Sequence, residues 1–265
     1  MNLNLTTLRA LVIDVDGVLL RGKQPLPGVA AFFEFLRARQ IDFTIATNNS
    51  ARPATDVVEK LARMGTPVAE TQVLTSAQAT ALYLPRLAPN AKRVLVVGGE
   101  GLLQAVTRAG YELVDADADV VVAGIDLTLT YDKLRRATRE IRRGALFVGS
   151  NGDKTFPLEN DLAPGAGSIL AALAAASDVA PTIIGKPERI MFDLAVERMG
   201  IAPQFTATLG DRLDTDIEGG VRAGLRSILV MTGVTTPAIL AQSALQPDCV
   251  FADLNALRET WERAG

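Results

Sequence analysis

Two aspartates one residue apart, Asp14 and Asp16, follow the apolar run Leu11-Val12-Ile13 and precede Gly17. The point where a buried strand gives way to a glycine-assisted turn is a costly place for two carboxylates. Like charges repel, and partial burial strengthens the repulsion. The pair therefore implies a positive partner, and a hard divalent cation, which takes oxygen ligands, is the leading candidate. Three other strand-like runs end on polar groups: Thr47-Asn48-Asn49-Ser50, Gly185-Lys186-Pro187 and Gly210-Asp211. Ligands of open parallel sheets bind outside the carboxyl ends of the strands, so four such ends in one sheet would converge on one site.

These residue types suit phosphoryl chemistry. An aspartate such as Asp14 can attack phosphorus and form an acyl phosphate, which splits a difficult hydrolysis into two steps. Asp16 can then protonate the leaving oxygen and later deprotonate the attacking water. Carboxylates and a phosphate dianion repel one another, so the site needs positive charge. Mg2+ meets that need with few protein ligands, and Asp211 is the expected further ligand, supported by Asp216. Lys186 supplies a second cation, Thr47 a hydroxyl, and the turn after Thr47 a set of backbone N–H groups.

The elements that must position these groups are readable. Short apolar runs alternate with amphipathic helical patterns, which predicts an α/β fold with a largely parallel sheet. Strands are expected at 10–13, 43–46, 93–97, 120–123, 145–148, 182–184, 206–209 and 227–230. Pro27-Gly28 opens a helix whose face carries Phe32, Phe33 and Leu36; Pro53 opens another that Gly65 stops; a third spans 189–199 before Gly200. Residues 80–181 have strands and helices of their own but no comparable polar ends, and read as an inserted domain within a core formed by 1–79 and 182–265.

Composition narrows the chemistry. The 265 residues are 48% hydrophobic and 22% charged with net charge −3, which argues against nucleic acid or an anionic membrane as the main partner. The longest apolar runs fall far short of a spanning helix, and the N-terminus lacks a basic segment followed by a long apolar one, so a cytoplasmic location is expected. A single cysteine, Cys249, excludes an internal disulfide and a thiolate metal cluster, and the absence of histidine removes Ser-His-Asp hydrolysis and His-ligated zinc.

Each motif alone has a bland reading as a turn, a cap or a helix N-terminus. In this order, each closing an apolar run, they resemble the four motifs of the haloacid dehalogenase (HAD) superfamily: Asp14-Val-Asp16-Gly17-Val18, Thr47-Asn48, Lys186, and Gly210-Asp211 with Asp216. Ala46-Thr-Asn-Asn-Ser50, Pro164-Gly-Ala-Gly167, Ile184-Gly-Lys-Pro187 and Gly210-Asp-Arg-Leu-Asp-Thr-Asp-Ile217 are similar to subfamily IIA, the NagD-like and 4-nitrophenyl-phosphatase-like group. The resemblance covers about residues 8 to 255. It implies a Rossmann-like core with an inserted α/β C2-type cap. It also implies Asp14 as nucleophile, Asp16 as general acid/base, and Mg2+ held by Asp14, the backbone carbonyl of Asp16, and Asp211. Thr47, Asn48 and Lys186 would bind the phosphoryl group of a small phosphorylated metabolite. The cap loop 150–155, with Asn151 and Asp153, would choose the substrate, and the resemblance also suggests a homodimer through the cap. A phosphotransferase or mutase using the same aspartyl phosphate, and a non-enzymatic ligand-binding protein on this scaffold, are the alternatives.

Other motifs read as structure. Val97-Gly98-Gly99-Glu100-Gly101 fits neither the dinucleotide nor the Walker pattern and reads as a tight turn. Asp115-Ala-Asp117-Ala-Asp119 reads as a solvated turn, and Arg135, Arg136, Arg139, Arg142 and Arg143 as a solvated helix face. Cys249 reads as structural, and Trp261 as packing the last helix onto the core.

Overall fold

A computed structural model describes residues 3–157 and 161–265. The chain divides into two compact units, Met1–Thr47 with Val57–Leu74 and Lys186–Gly265, and Asn48–Asp56 with Thr75–Gly185. Among the described residues no helix is long and apolar enough to cross a membrane.

The first unit is built on a six-stranded sheet in the order Cys249–Phe251, Arg226–Val230, Thr206–Gly210, Ala10–Ile13, Asp42–Thr47, Val73–Thr75. Pairing along the first five strands is parallel throughout. Ala10–Ile13 is buried along its whole length and lies between two parallel neighbours, with Val12 level with both Thr208 and Thr44. That is why it reads as a continuous apolar run and not as an alternating one. The helix Val29–Ala38 buries Val29, Phe32, Phe33, Phe35 and Leu36 after Gly28, whose φ of +87° turns the chain into it.

The C-terminal helix Leu254–Ala264 is capped by Asp253, which accepts from the Ala256 N–H at 2.9 Å. It buries Trp261, whose ring meets that of Phe35 edge-on with centroids 5.5 Å apart. Trp261→Ala is expected to lower stability by about 3–5 kcal/mol. Urea denaturation measures this, and a loss below about 1 kcal/mol would show that the last helix is not part of the core.

The second unit holds a five-stranded parallel sheet in the order Thr182–Ile183, Leu146–Gly149, Val120–Ala123, Arg93–Val97, Glu112–Leu113. The Ala-rich helix Ala166–Ser177 adds Ile169, Leu170 and Leu173 to its core. Two of the leftover motifs turn out to be partners. Arg136 pairs with Asp115 at 2.5 Å and Arg143 with Asp117 at 3.8 Å, while Asp119 accepts from the Lys92 and Arg93 N–H groups at 2.8 Å each. The arginine-rich helix Tyr131–Arg142 and the aspartate turn hold one another.

The strands expected from apolar runs appear within about a residue of their ends. The edge strands Val73–Thr75 and Cys249–Phe251 and the hairpin pair Leu20–Arg21 and Gln24–Pro25 were not foreseen. The condition that all four polar strand ends share one sheet is met by only three of them. Thr182–Ile183, which precedes Lys186, belongs to the other unit's sheet, and Lys186 begins a new segment of the first.

Candidate active site

The first unit gathers carboxylates at the carboxyl edge of its sheet. Asp14 continues the parallel pairing one step past its strand, its N–H donating to Leu209 O at 2.9 Å. The chain then turns sharply, with the Leu19 and Leu20 N–H groups both donating to Val15 O at 2.9 Å. Gly17 makes this turn possible on two counts. Its φ is +81°, and a methyl there would lie 2.5 Å from Asp211 Cγ.

Asp211 follows the neighbouring strand and is 1% exposed. Its Oδ2 accepts the Val234 N–H at 2.6 Å, but its Oδ1 is buried with no hydrogen-bond partner. A buried, orphaned carboxylate oxygen is costly unless a ligand completes it. Asp216 sits in the π-turn Leu213–Ile217, where its Oδ2 accepts the Arg212 N–H at 3.2 Å.

Lys186 joins these acids. It is 4% exposed, and its Nζ donates to Asp14 Oδ1, to Asp216 Oδ1 at 2.7 Å and to Ala46 O at 3.1 Å. Burial alone would lower its pKa, but the Asp14 and Asp216 carboxylates outweigh that and hold it above the ordinary lysine range. Asp14, Asp211 and Asp216 each offer an oxygen, all within 4.8 Å of one another, and the Lys186 ammonium pairs with two of them, Asp14 and Asp216. Burial, then the neighbouring acids against the opposing pull of Lys186, leaves Asp14 well above the usual carboxylate range. Burial and Asp216 push Asp211 from its ordinary value of 3.8 to about 6. An excess of negative charge, oxygen-only donors and the orphaned Oδ1 fit a hard divalent cation.

Asp16 stays out of the carboxylate cluster. Its side chain is exposed, yet the surrounding protein raises its pKa, and Lys186 and Lys60 pull the other way. Thr47 closes the adjacent strand and is buried. Asn48, Asn151 and Asp153 form a network inside the second unit. Asn48 Nδ2 donates to both oxygens of Asp153 at 3.2 and 3.1 Å, and Asn151 Nδ2 donates to Asn48 O at 2.7 Å. The Asp153 N–H returns to Asn151 Oδ1 at 3.1 Å.

The loop that holds Asp211 was not foreseen from the sequence. Besides the Val234 bond, Thr232 Oγ1 donates to Gly17 O at 2.5 Å, and a methyl on Gly233 would lie 1.9 Å from Asp211 Oδ2. The available signal was a Thr-Gly turn directly after an apolar run on the same sheet edge.

A family model described as haloacid dehalogenase-like hydrolase matches residues 11–112, and a second, HAD-hydrolase-like, matches 183–257. The chain is 37% identical to an acid sugar phosphatase of Staphylococcus epidermidis over 93% of this chain and 95% of that one. Its structure is similar to that of 4-nitrophenylphosphatase from Thermotoga maritima, with a TM-score of 0.92, 34% identity and coverage of 97% and 99% of the two chains. NagD of E. coli K-12 matches with a TM-score of 0.88 at 28% identity, covering 93% and 97%. Two parallel sheets, the lysine-bridged acids and these relatives agree that the chain belongs to the haloacid dehalogenase-like hydrolases, in subfamily IIA with the NagD-like and 4-nitrophenyl-phosphatase-like proteins.

Proposed function

We propose that this HAD-type phosphatase hydrolyses phosphomonoesters of small metabolites with the help of Mg2+, through an aspartyl phosphate on Asp14. One observation carries the reading: a buried lysine is shared by Asp14 and Asp216 beside an Asp211 oxygen that nothing satisfies. The relatives named acid sugar phosphatase and 4-nitrophenylphosphatase support the substrate class.

In the first half-reaction an Asp14 oxygen attacks phosphorus, the bond from phosphorus to the ester oxygen breaks, and Asp16 gives its proton to the departing alkoxide. The raised pKa of Asp16 favours the protonated form that this step uses. In the second half-reaction water attacks phosphorus while Asp16 takes its proton. The bond between Asp14 and phosphorus breaks, which frees inorganic phosphate and restores the carboxylate. Lys186 aligns Asp14 and, with Thr47 and Asn48, binds the phosphoryl oxygens. Asp216 holds Lys186 in place. Bound Mg2+, held by Asp14, the Asp16 carbonyl and Asp211, would neutralise charge between carboxylate and phosphate. The second unit serves as a C2-type cap, and Asn151 and Asp153 take part in substrate choice.

A panel of sugar phosphates together with 4-nitrophenyl phosphate tests the reading. Phosphate release is expected to fall at least about tenfold on chelation and to return with added Mg2+. Release indifferent to chelation would exclude the metal role.

A further inference from the structure

The Gly98-Gly99-Glu100-Gly101 turn has no part in the mechanism above, yet it grips the segment that follows Thr47. We propose that Gly101 and Ser76 are positioning residues for the reaction, fixing residues 48–52 and with them the phosphoryl-binding Asn48. This rests on the assignment of Asn48 given under the proposed function.

Gly101 occupies the first turn of the helix Glu100–Arg108, where alanine has the better helix propensity. Its φ is not positive, nor is that of Gly99, so backbone conformation does not demand glycine at either position. Space does. A methyl at 101 would lie 2.3 Å from Arg52 O and 2.8 Å from Ser50 O, and one at 99 would lie 2.8 Å from Ala51 O. The close approach is put to use: the Gly101 N–H donates to Ala51 O at 3.0 Å, which satisfies one of the unpaired donors at the start of the helix.

The rest of the segment is held as tightly, within the same unit. Ser76 Oγ donates to Asn48 O at 2.6 Å beside the Asn151 bond, and Ser150 Oγ donates to Ser50 Oγ at 3.0 Å. A methyl on Gly185 would lie 2.6 Å from Asn48 Oδ1. Residues 48–52 are thus fixed by backbone and by buried hydroxyls of the inserted unit, while Thr47 ends a strand of the other sheet. Donors that stabilise a transferring phosphoryl group act best when already in place, and small displacements of such groups carry large kinetic costs. A methyl at 101 cannot be absorbed by rotating a side chain, because its neighbours are backbone atoms. It must push the 50–52 backbone and the asparagine two residues before it.

The test compares Gly101→Ala, Ser76→Ala and Gly98→Ala with the unaltered protein, reading kcat/KM on 4-nitrophenyl phosphate and the inhibition constant of inorganic phosphate. An inhibition constant does not depend on how much protein is folded, so a purely structural role would leave it unmoved. Gly101→Ala is expected to raise it at least about fivefold, the scale of a misplaced hydrogen bond, with Ser76→Ala moving it in the same direction. Gly98→Ala, whose methyl would meet the Leu102 side chain as its nearest neighbour, is expected to stay within about twofold. Should Gly101→Ala not fold, Ser76→Ala decides alone. Wild-type inhibition constants in both variants, in a protein that phosphate does inhibit, would overturn the clamp and leave the proposed reaction standing. An unaltered protein that neither turns over the ester nor responds to phosphate would overturn both.

Discussion

Asp14→Asn is expected to lower kcat on 4-nitrophenyl phosphate by at least about a thousandfold without loss of stability. The amide has almost the same shape, so the turn over Gly17 and the strand pairing to Leu209 survive. It is not a nucleophile towards phosphorus. Stability should hold because Lys186 keeps Asp216 as a partner and because Asp14 is a carboxylate in a poor place: burial and the acids around it outweigh the help from Lys186. Residues kept for chemistry at such a cost are where activity and stability part. Steady-state rates and thermal melts on the same sample read both quantities. Activity within about tenfold of the unaltered protein would remove Asp14 from the nucleophile's role.

Asp211→Asn should separate the metal from the fold in the opposite sense. The folded pKa of about 6 lies above the ordinary 3.8, so the native state binds the proton more tightly than the unfolded chain does. Its favourable contribution is therefore full below about pH 4 and is lost as pH rises through 6. Above that window ionised Asp211 costs about 3 kcal/mol, from a shift of about two pKa units. Without metal, Asp211→Asn is expected to be more stable than the unaltered protein at pH 8, with the difference closing towards pH 4. With Mg2+ the order should reverse, because only the carboxylate gains from the cation, and stabilisation by the cation should grow from pH 5 to pH 8. Melting curves across pH with chelator and with Mg2+ measure this. An equal response to Mg2+ in both proteins would place the cation elsewhere.

Much of this arrangement was legible because it rests on residue type and strand position. Strands buried on both faces announce themselves as apolar runs, as at Ala10–Ile13 and Val120–Ala123, and the aspartates stand out because nothing in a core asks for them. Cys249–Phe251 was not legible, since a strand of three residues at the sheet edge is too short for its apolar run to be told from a turn or a helix end. The sheet that owns each strand was hidden too. Thr182–Ile183 could be grouped with Ala10–Ile13 because both runs end on polar residues, yet the chain changes units between Gly185 and Lys186. The support of Asp211 was invisible for another reason: it is made by the backbone of Val234 and by the missing side chains of Gly17 and Gly233, and backbone donors leave no mark in residue identity. The same holds for Gly101, whose importance lies in what a methyl would strike.

In the proposed reaction phosphorus is carried on Asp14, and that bond can be trapped. An acyl phosphate is reduced by borohydride to the alcohol, so quenching the enzyme during turnover, reducing it and mapping its peptides by mass should find homoserine at position 14. That product is expected at Asp14 alone, dependent on substrate and absent from Asp14→Asn. Turnover in full progress with position 14 unmodified, or with the modification at Asp16, would rule out Asp14 as the carrier of phosphorus.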